Sequence, residues 1–313
     1  MSDQTQFSDR LDRAMLAPLQ IKTDGPGLWR ALLHVGLLVA ADAGLVLYGL
    51  HPIGVILALI AGFLTSALFA PFHECIHNNA FKTRWMNRVL AWVCALPLGF
   101  FPSGYSAFHF EHHHHTHDPK RDPELLLAPE RLVSWPSGIV AWVLTLSGVL
   151  MLIGRVVSLP LLAANPSAGF WERLAPYASE KKRVVIVRQA RIALLIYIAV
   201  GAGMVLWPPL AMILIPTVLS GAFLAFFQLP EHAGLATEGS IFHRTRSIRT
   251  NAVVNLFWWN MSYHAEHHAY MAVPFYHLPA LSRLLEAEMC NVVADGYLSV
   301  YRKALGGDPQ RAN

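Results

Sequence analysis

The sequence predicts an all-α integral membrane protein. Four transmembrane helices form two hairpins, joined by interfacial helices and a cytoplasmic helical cap that carries a metal site. Three observations predict this. First, 54% of the 313 residues are hydrophobic and 14% are charged, where an average soluble domain has about 45–50% and about 25%; the mean hydropathy is +0.40. Second, several apolar runs approach or exceed the about 20 helical residues that cross a bilayer core. Third, the chain has sixteen histidines, and eight of them fall between His73 and His117.

Residues 1–27 form a polar arm (MSDQTQFSDRLDRAM at its start) without an apolar h-region, so no cleaved signal peptide is expected. Six apolar segments follow: Leu28–Leu50, Pro52–Phe72, Val89–Phe101, Ile139–Leu162, Ile192–Trp207 and Pro209–Leu229. The first two are joined by Gly-Leu-His-Pro and the last two by Trp207-Pro208-Pro209, so each pair reads as a tight hairpin. Lysine and arginine are absent from Ala31 to Phe81 and from Ile192 to His243. Cytoplasmic segments carry the Lys/Arg excess. Both hairpins therefore dip in from the cytoplasm, and both chain ends and all histidine clusters lie on that side, in the expected setting of a bacterial inner membrane. Val89–Phe101 is too short to span. Ile139–Leu162 is long enough, but a full crossing would put the histidines before and after it on opposite faces, so it is expected to lie in the interface or to re-enter.

The whole chain, 1–313, reads as a single domain. Its parts are the arm (1–27), the first hairpin (28–72), two histidine clusters with interfacial helices (73–191), the second hairpin (192–229), and a third cluster with the cytoplasmic cap (230–313). Cys75, Cys94 and Cys290 lack paired spacing, which suits a reducing compartment and not a disulfide scaffold. The pI is about 9.0, yet no basic run resembles a nucleic-acid arm, and no nucleic-acid partner is expected.

The clusters are His73-Glu-Cys-Ile-His77, His109-Phe-Glu-His112-His113 (continuing His114-His115-Thr116-His117) and His264-Ala-Glu-His267-His268. Positions i, i+3 and i+4 share one helix face, so His73 and His77 can grip one metal from a single helix, and the three histidines of each other cluster project together; imidazole suits Fe, Zn, Cu and Ni. Only the register starting at His109 gives H-x-x-H-H in the second cluster, which leaves His114, His115 and His117 as extras. Gln228-Leu-Pro-Glu-His232 ends the last hairpin on the same membrane side, which makes His232 a further candidate, with the helix kinking or breaking at Pro230. Glu74, Glu111, Glu231 and Glu266 each adjoin a histidine and point to another helix face, from which they can serve a different cluster's ligands or simply be solvated.

These residues resemble the membrane fatty-acid desaturase and hydroxylase superfamily, whose signature is three histidine boxes of the forms H-x(3,4)-H, H-x(2,3)-H-H and H-x(2,3)-H-H. Here they read HECIH, HFEHH and HAEHH, followed by HHHHTHDPKRDPEL and embedded in NMSYHAEHHAYMAVPFYHLPAL. The resemblance covers roughly residues 69–285. It implies nine ligands, His73, His77, His109, His112, His113, His232, His264, His267 and His268, around a di-metal site of two iron ions. Gln228 stands where the family has an amide residue, most familiarly Asn, and is a possible water-mediated metal contact. The implied activity is desaturation of a fatty-acyl or similar lipid chain with O2 as co-substrate, or hydroxylation or ketolation on the same scaffold. The substrate is an acyl-lipid, acyl-CoA or acyl-carrier species.

Two electrons must come from outside, because the chain has no G-x-G-x-x-G fingerprint, cysteine cluster or His-Pro-Gly-Gly haem motif. A ferredoxin or similar carrier is implied as donor. Lys181-Lys182-Arg183 and Arg244/Arg246/Arg249 offer it a basic docking face, set against the plainer reading that these charges mark the cytoplasmic side. Two other classes compete. A histidine-based metal transporter would need polar groups at the bilayer midplane, where only His34 and Asp42 occur. A b-type haem protein would use single histidines on facing helices, not H-x-x-H-H.

Overall fold

The computed structural model describes residues 11–126 and 133–306. Among these residues, four helical stretches are long and apolar enough to cross a membrane. The first is α1 (Gly25–Tyr48). The second is α2 (Pro52–Ala67) running almost without interruption into α3 (Phe69–Ile76). The amphipathic α4 (Arg84–Ala95) and α5 (Pro102–His115) meet at 92°, and α6 (Ile139–Leu146) and α7 (Val149–Ala163) at 52°. The third and fourth apolar stretches are α8 (Glu180–Leu206) and α9 (Leu214–His232), the latter preceded by a 3-10 turn, Pro208–Ile213. The C-terminal part holds α10 (His264–Ala269) and α11 (Tyr297–Leu305). A short parallel pair, β1 (Ser247–Ile248) with β2 (Val292–Val293), departs from an entirely helical chain.

Twenty-four residues of α1 rise about 36 Å, enough for a hydrocarbon core of about 30 Å. The α1–α2 turn forms where the sequence places Gly-Leu-His-Pro. Gly49 takes φ 56°, and Pro52 starts α2 at a position that needs no backbone N–H. α2 lies between α1 and α9. Small residues permit this: a Cβ on Gly62 would come within 2.8 Å of Leu219. The outward faces carry exposed Leu32, Leu47, Ile56, Leu195, Ile198 and Leu206, as lipid-facing helices require.

The segment expected to form one helix over Ile139–Leu162 is thus broken. Gly148 sits at φ 67°, where its backbone meets Gly221 of α9 so closely that a Cβ would lie 2.3 Å from it. Arg155, the charge in this apolar segment, is used locally. Its Nη1 donates to the Leu98 carbonyl at 2.9 Å, and its guanidinium lies 4.0 Å above the Phe100 ring. His34 is likewise occupied, its Nε2 at 2.8 Å from the Leu64 carbonyl.

Of the kink or break expected at Pro230, the break does not occur: α9 continues to His232. A proline removes the N–H that would bond the carbonyl four residues earlier, here that of Phe226. The Tyr301 hydroxyl on α11 donates to that carbonyl at 2.7 Å, and its ring stacks on Phe226 at 4.8 Å. At the end of the helix, Arg246 Nη1 donates to the Pro230 carbonyl and, at 3.1 Å, to the Ala233 carbonyl. Tyr301→Phe should leave the Phe226 carbonyl without its donor and cost about 1–3 kcal/mol. Thermal unfolding in detergent should show this as a lowered Tm, whereas Tyr48→Phe, exposed at the end of α1, should not change it.

Candidate metal centre

The histidines sit at helix ends because the apolar runs stop there. His73 and His77 lie one turn apart at the end of α3, and His77 is its C-terminal cap. His109, His112 and His113 occupy the last two turns of α5, and His232 is the last residue of α9. His264, His267 and His268 fill the six-residue α10. Three helices, α3, α5 and α9, thus bring C-terminal ends to one place. These ends carry partial negative charge and favour a cation.

Nitrogens of His73, His77, His109, His113 and His267 all lie within 4.8 Å of one another, and those of His112, His232 and His268 form a second such group. His264 joins the second group through its Nε2, 2.9 Å from that of His232. In the first group, Nε2–Nε2 separations are 2.8 Å for His77–His109, 2.9 Å for His109–His113 and 3.2 Å for His113–His267. Two nitrogens bound at about 2.0–2.1 Å to one ion, at octahedral or tetrahedral angles, are about 2.8–3.4 Å apart. The groups abut: the rings of His113 and His268 stack with centroids 4.2 Å apart.

The donor set fits a pair of metal ions. Both ring nitrogens of His73 and the Nε2 of His268 are buried and have no hydrogen-bond partner among the described residues. The opposite nitrogens of several rings are bonded outward. His232 Nδ1 donates to the Arg244 carbonyl at 2.9 Å, and His112 Nδ1 to the Asp122 carboxylate at 2.9 and 3.0 Å. His268 Nδ1 lies 3.2 Å from the Thr116 hydroxyl, and His109 Nδ1 the same distance from that of Tyr105. Such outer bonds fix the tautomer and leave Nε2 as the inward nitrogen that could bind a metal. Burial lowers the pKa of His264 and His268 well below the ordinary imidazole value and that of His267 to about 3, with neighbouring histidines adding to the shift. These three rings are therefore held neutral, the form that binds a metal, whereas at His112 burial is outweighed by the Glu124 and Asp122 carboxylates, which push the ring up to about 9.

A fatty acid desaturase profile matches residues 50–295. The chain belongs to the fatty acid desaturase family. Among curated proteins it is similar to a sphingolipid delta(4)-desaturase of Drosophila melanogaster, 27% identical over 71% of this chain and 63% of the relative. An acyl-lipid (9-3)-desaturase of Physcomitrium patens is 25% identical over 68% of this chain and 44% of the relative. A sphingolipid delta(4)-desaturase/C4-monooxygenase of Homo sapiens is 25% identical over 71% and 62%. The chain matches less than two thirds of the length of each of these relatives.

Several residues around this desaturase-family centre differ from the sequence expectation. Asp122 was not singled out, although it is the carboxylate on His112. It also accepts from the backbone N–H of His117 and, at 2.9 Å, from that of Glu124. Burial pushes its carboxyl up, but His112 and these bonds outweigh that and hold it below the usual range. Glu124 lies 3.7 Å from the same ring nitrogen of His112. Of the expected glutamates, Glu231 lies 3.7 Å from His264 of another box, and Glu74 lies 3.8 Å from its own neighbour His73. Glu111 instead pairs with His115 at 3.5 Å, outside both groups. His117, taken as an extra, is buried, and its ring stacks 5.9 Å from that of His232. Gln228 is half-buried one turn before His232.

Of the arginines offered as a docking face, Arg244, Arg246 and Arg249 also bond inward, the first and last while half-exposed. Arg246 is fully buried, Arg249 Nη2 donates to Glu266 at 3.1 Å and to Ser282 at 2.6 Å, and Arg244 Nη1 donates to the Thr116 carbonyl at 3.1 Å. Asp122→Ala should weaken metal retention about 10–100-fold, as read by competition with a chelator. Glu111→Ala should leave it unchanged.

Proposed function

We propose that this chain is a membrane-bound, non-haem di-iron desaturase that introduces a C=C bond into a lipid chain, with O2 as oxidant and two electrons from an external carrier such as a ferredoxin. The observation that carries this reading is the pair of abutting histidine groups at the ends of apolar helices. His73, His77, His109, His113 and His267 hold one ion, and His112, His232, His264 and His268 hold the other. Nine imidazoles exceed what one first-row ion takes. Iron is the metal implied by the resemblance, and zinc has no redox chemistry to offer.

The balanced reaction turns a –CH2–CH2– unit, O2, two electrons and two protons into a C=C bond and two waters. The reduced iron pair supplies O2 activation and the oxidising power for C–H cleavage. The chain's own residues orient and insulate that chemistry. Tyr105, stacked 5.0 Å from His109, and Phe69, 6.0 Å from His73, place aromatic rings against the first group. Phe72, Phe100 and Trp258 extend this apolar wall, which keeps water from the reacting carbon and suits an alkyl chain. Asp122, Arg244 and Thr116 hold ligand rings in their orientation, and Gln228 serves as a water-mediated contact to the centre. The distribution of Lys and Arg supports a cytoplasmic placement of the boxes and both termini.

The relatives' names favour a lipid substrate. One of them is named as both a desaturase and a C4-monooxygenase, so hydroxylation is the second reading. The test is expression in a host of defined lipid composition, with metal analysis and mass spectrometry of the lipids. The expected result is about two irons per chain and a product lacking two hydrogens. A product carrying one added oxygen would select hydroxylation, and zinc alone, or one ion per chain, would refute the di-iron reading. His113→Ala should abolish turnover, His232→Ala should lose at least one iron, and His51→Ala, at the exposed hairpin turn, should keep both iron and activity.

A further inference from the structure

A groove of about 700 Å³ lies along the first half of α8, far in sequence from the boxes, and its rim carries Arg183, Arg188 and Arg191 against one acid, Glu180. Its volume falls within the range of small-molecule sites, about 300–1,000 Å³. The lining is divided. Trp171, Val187, Ile192 and Leu195 give an apolar wall that runs toward the middle of the membrane helix, and the arginines stand where the helix passes from Lys181-Lys182 into its apolar run.

A plain topological charge would extend into water, but two of these arginines are fixed to backbone. Arg183 Nε donates to the Ala178 carbonyl at 2.7 Å, and Arg191 Nε to the Ala163 carbonyl at 2.8 Å. Arg183 also lies 5.5 Å from the centre of the Trp171 ring. Each Nε bond orients a guanidinium while leaving its Nη donors for another acceptor. None of the three has a carboxylate partner among the described residues. An oriented set of guanidinium forks above an apolar wall matches an oxyanion attached to a hydrocarbon chain, and basic pockets beside membrane helices take anionic lipid head groups.

We propose that this groove is a binding site for an anionic phospholipid of the surrounding bilayer. The phosphate sits among Arg183, Arg188 and Arg191, and one acyl chain lies along Val187, Ile192 and Leu195. The site is separate from the metal centre and does not depend on the proposed activity. It is linked to the centre through the scaffold, since Gln189, between two of the arginines, accepts from the Ser103 N–H at the start of α5 at 2.8 Å.

The test is native mass spectrometry of the full-length protein, delipidated and then mixed with phosphatidylglycerol or phosphatidylcholine of identical acyl chains. Wild type should retain one phosphatidylglycerol at least 10-fold more tightly than phosphatidylcholine. Arg188→Glu/Arg191→Glu should lose that preference, and Ile192→Asn should weaken binding of the lipid but not of glycerol phosphate. Arg302→Glu/Lys303→Glu, which removes two basic positions in α11 remote from the groove, should bind as wild type. Unchanged thermal unfolding and metal content in the variants exclude misfolding, and if the arginine pair fails that check, Arg188→Gln is measured in its place. Equal retention of the two lipids, a preference that survives the arginine substitutions, or competition by glycerol phosphate as strong as by the lipid would overturn the proposal.

Discussion

The structure depends on one constraint: nine imidazoles, seven of them buried and His77 and His232 half-buried, are packed with their nitrogens facing each other. Two neutral rings whose nitrogens stand 2.8 Å apart, as in His77 and His109, share at most one proton between them. A buried ring nitrogen with no hydrogen-bond partner among the described residues, as in His73, costs about 1–3 kcal/mol. Without a cation this arrangement opposes folding; with two cations, the inward lone pairs become bonds. The stability that holds the rings together before a metal arrives must therefore come from elsewhere in the chain.

It comes from the apolar hairpins and from a polar brace behind the rings. α2 between α1 and α9 fixes where α3 and α9 end, and hence where His73, His77 and His232 stand. The brace consists largely of arginines that reach back to ligand-bearing segments: Arg244 to the Thr116 carbonyl just after α5, Arg246 to the end of α9, and Arg249 to Glu266 in α10. Ser247 strengthens the last contact by donating to Glu266 and accepting from the Ala265 N–H. The loop between α9 and α10 therefore works as a tie across three helix ends, its arginines donating to carbonyls and a carboxylate. Tyr301 supplies what Pro230 removes from α9, so the end of the second hairpin, where His232 stands, rests on a hydroxyl from the far end of the chain.

Much of this was legible in the sequence because it is local. The apolar runs set the four long helices to within a few residues, except that α8 begins at Glu180, twelve residues before its apolar run at Ile192. Its charged first turns are helical as well, and periodicity of apolar residues alone does not report that. The H-x-x-H-H and H-x-x-x-H spacings marked ring faces directly, since a helix converts spacing into direction. The contacts that hold those rings were not legible. Asp122 reaches His112 only because the chain turns back between Thr116 and Asp122. The role of Arg246 rests on a loop path that leaves no periodic signal. The helix break open at Pro230 does not occur for a related reason: the hydroxyl that takes up the Phe226 carbonyl comes from Tyr301, 75 residues from Phe226 in sequence.

The central claim is that the two histidine groups hold two separate iron ions. Crystals of the iron-loaded protein, with diffraction data collected on both sides of the iron absorption edge, test it most directly. The account predicts two anomalous peaks, one about 2.0–2.2 Å from nitrogens of His73, His77, His109, His113 and His267, the other at that distance from nitrogens of His112, His232, His264 and His268. A single peak shared by both groups, or peaks that appear at the zinc edge and not at the iron edge, would contradict it.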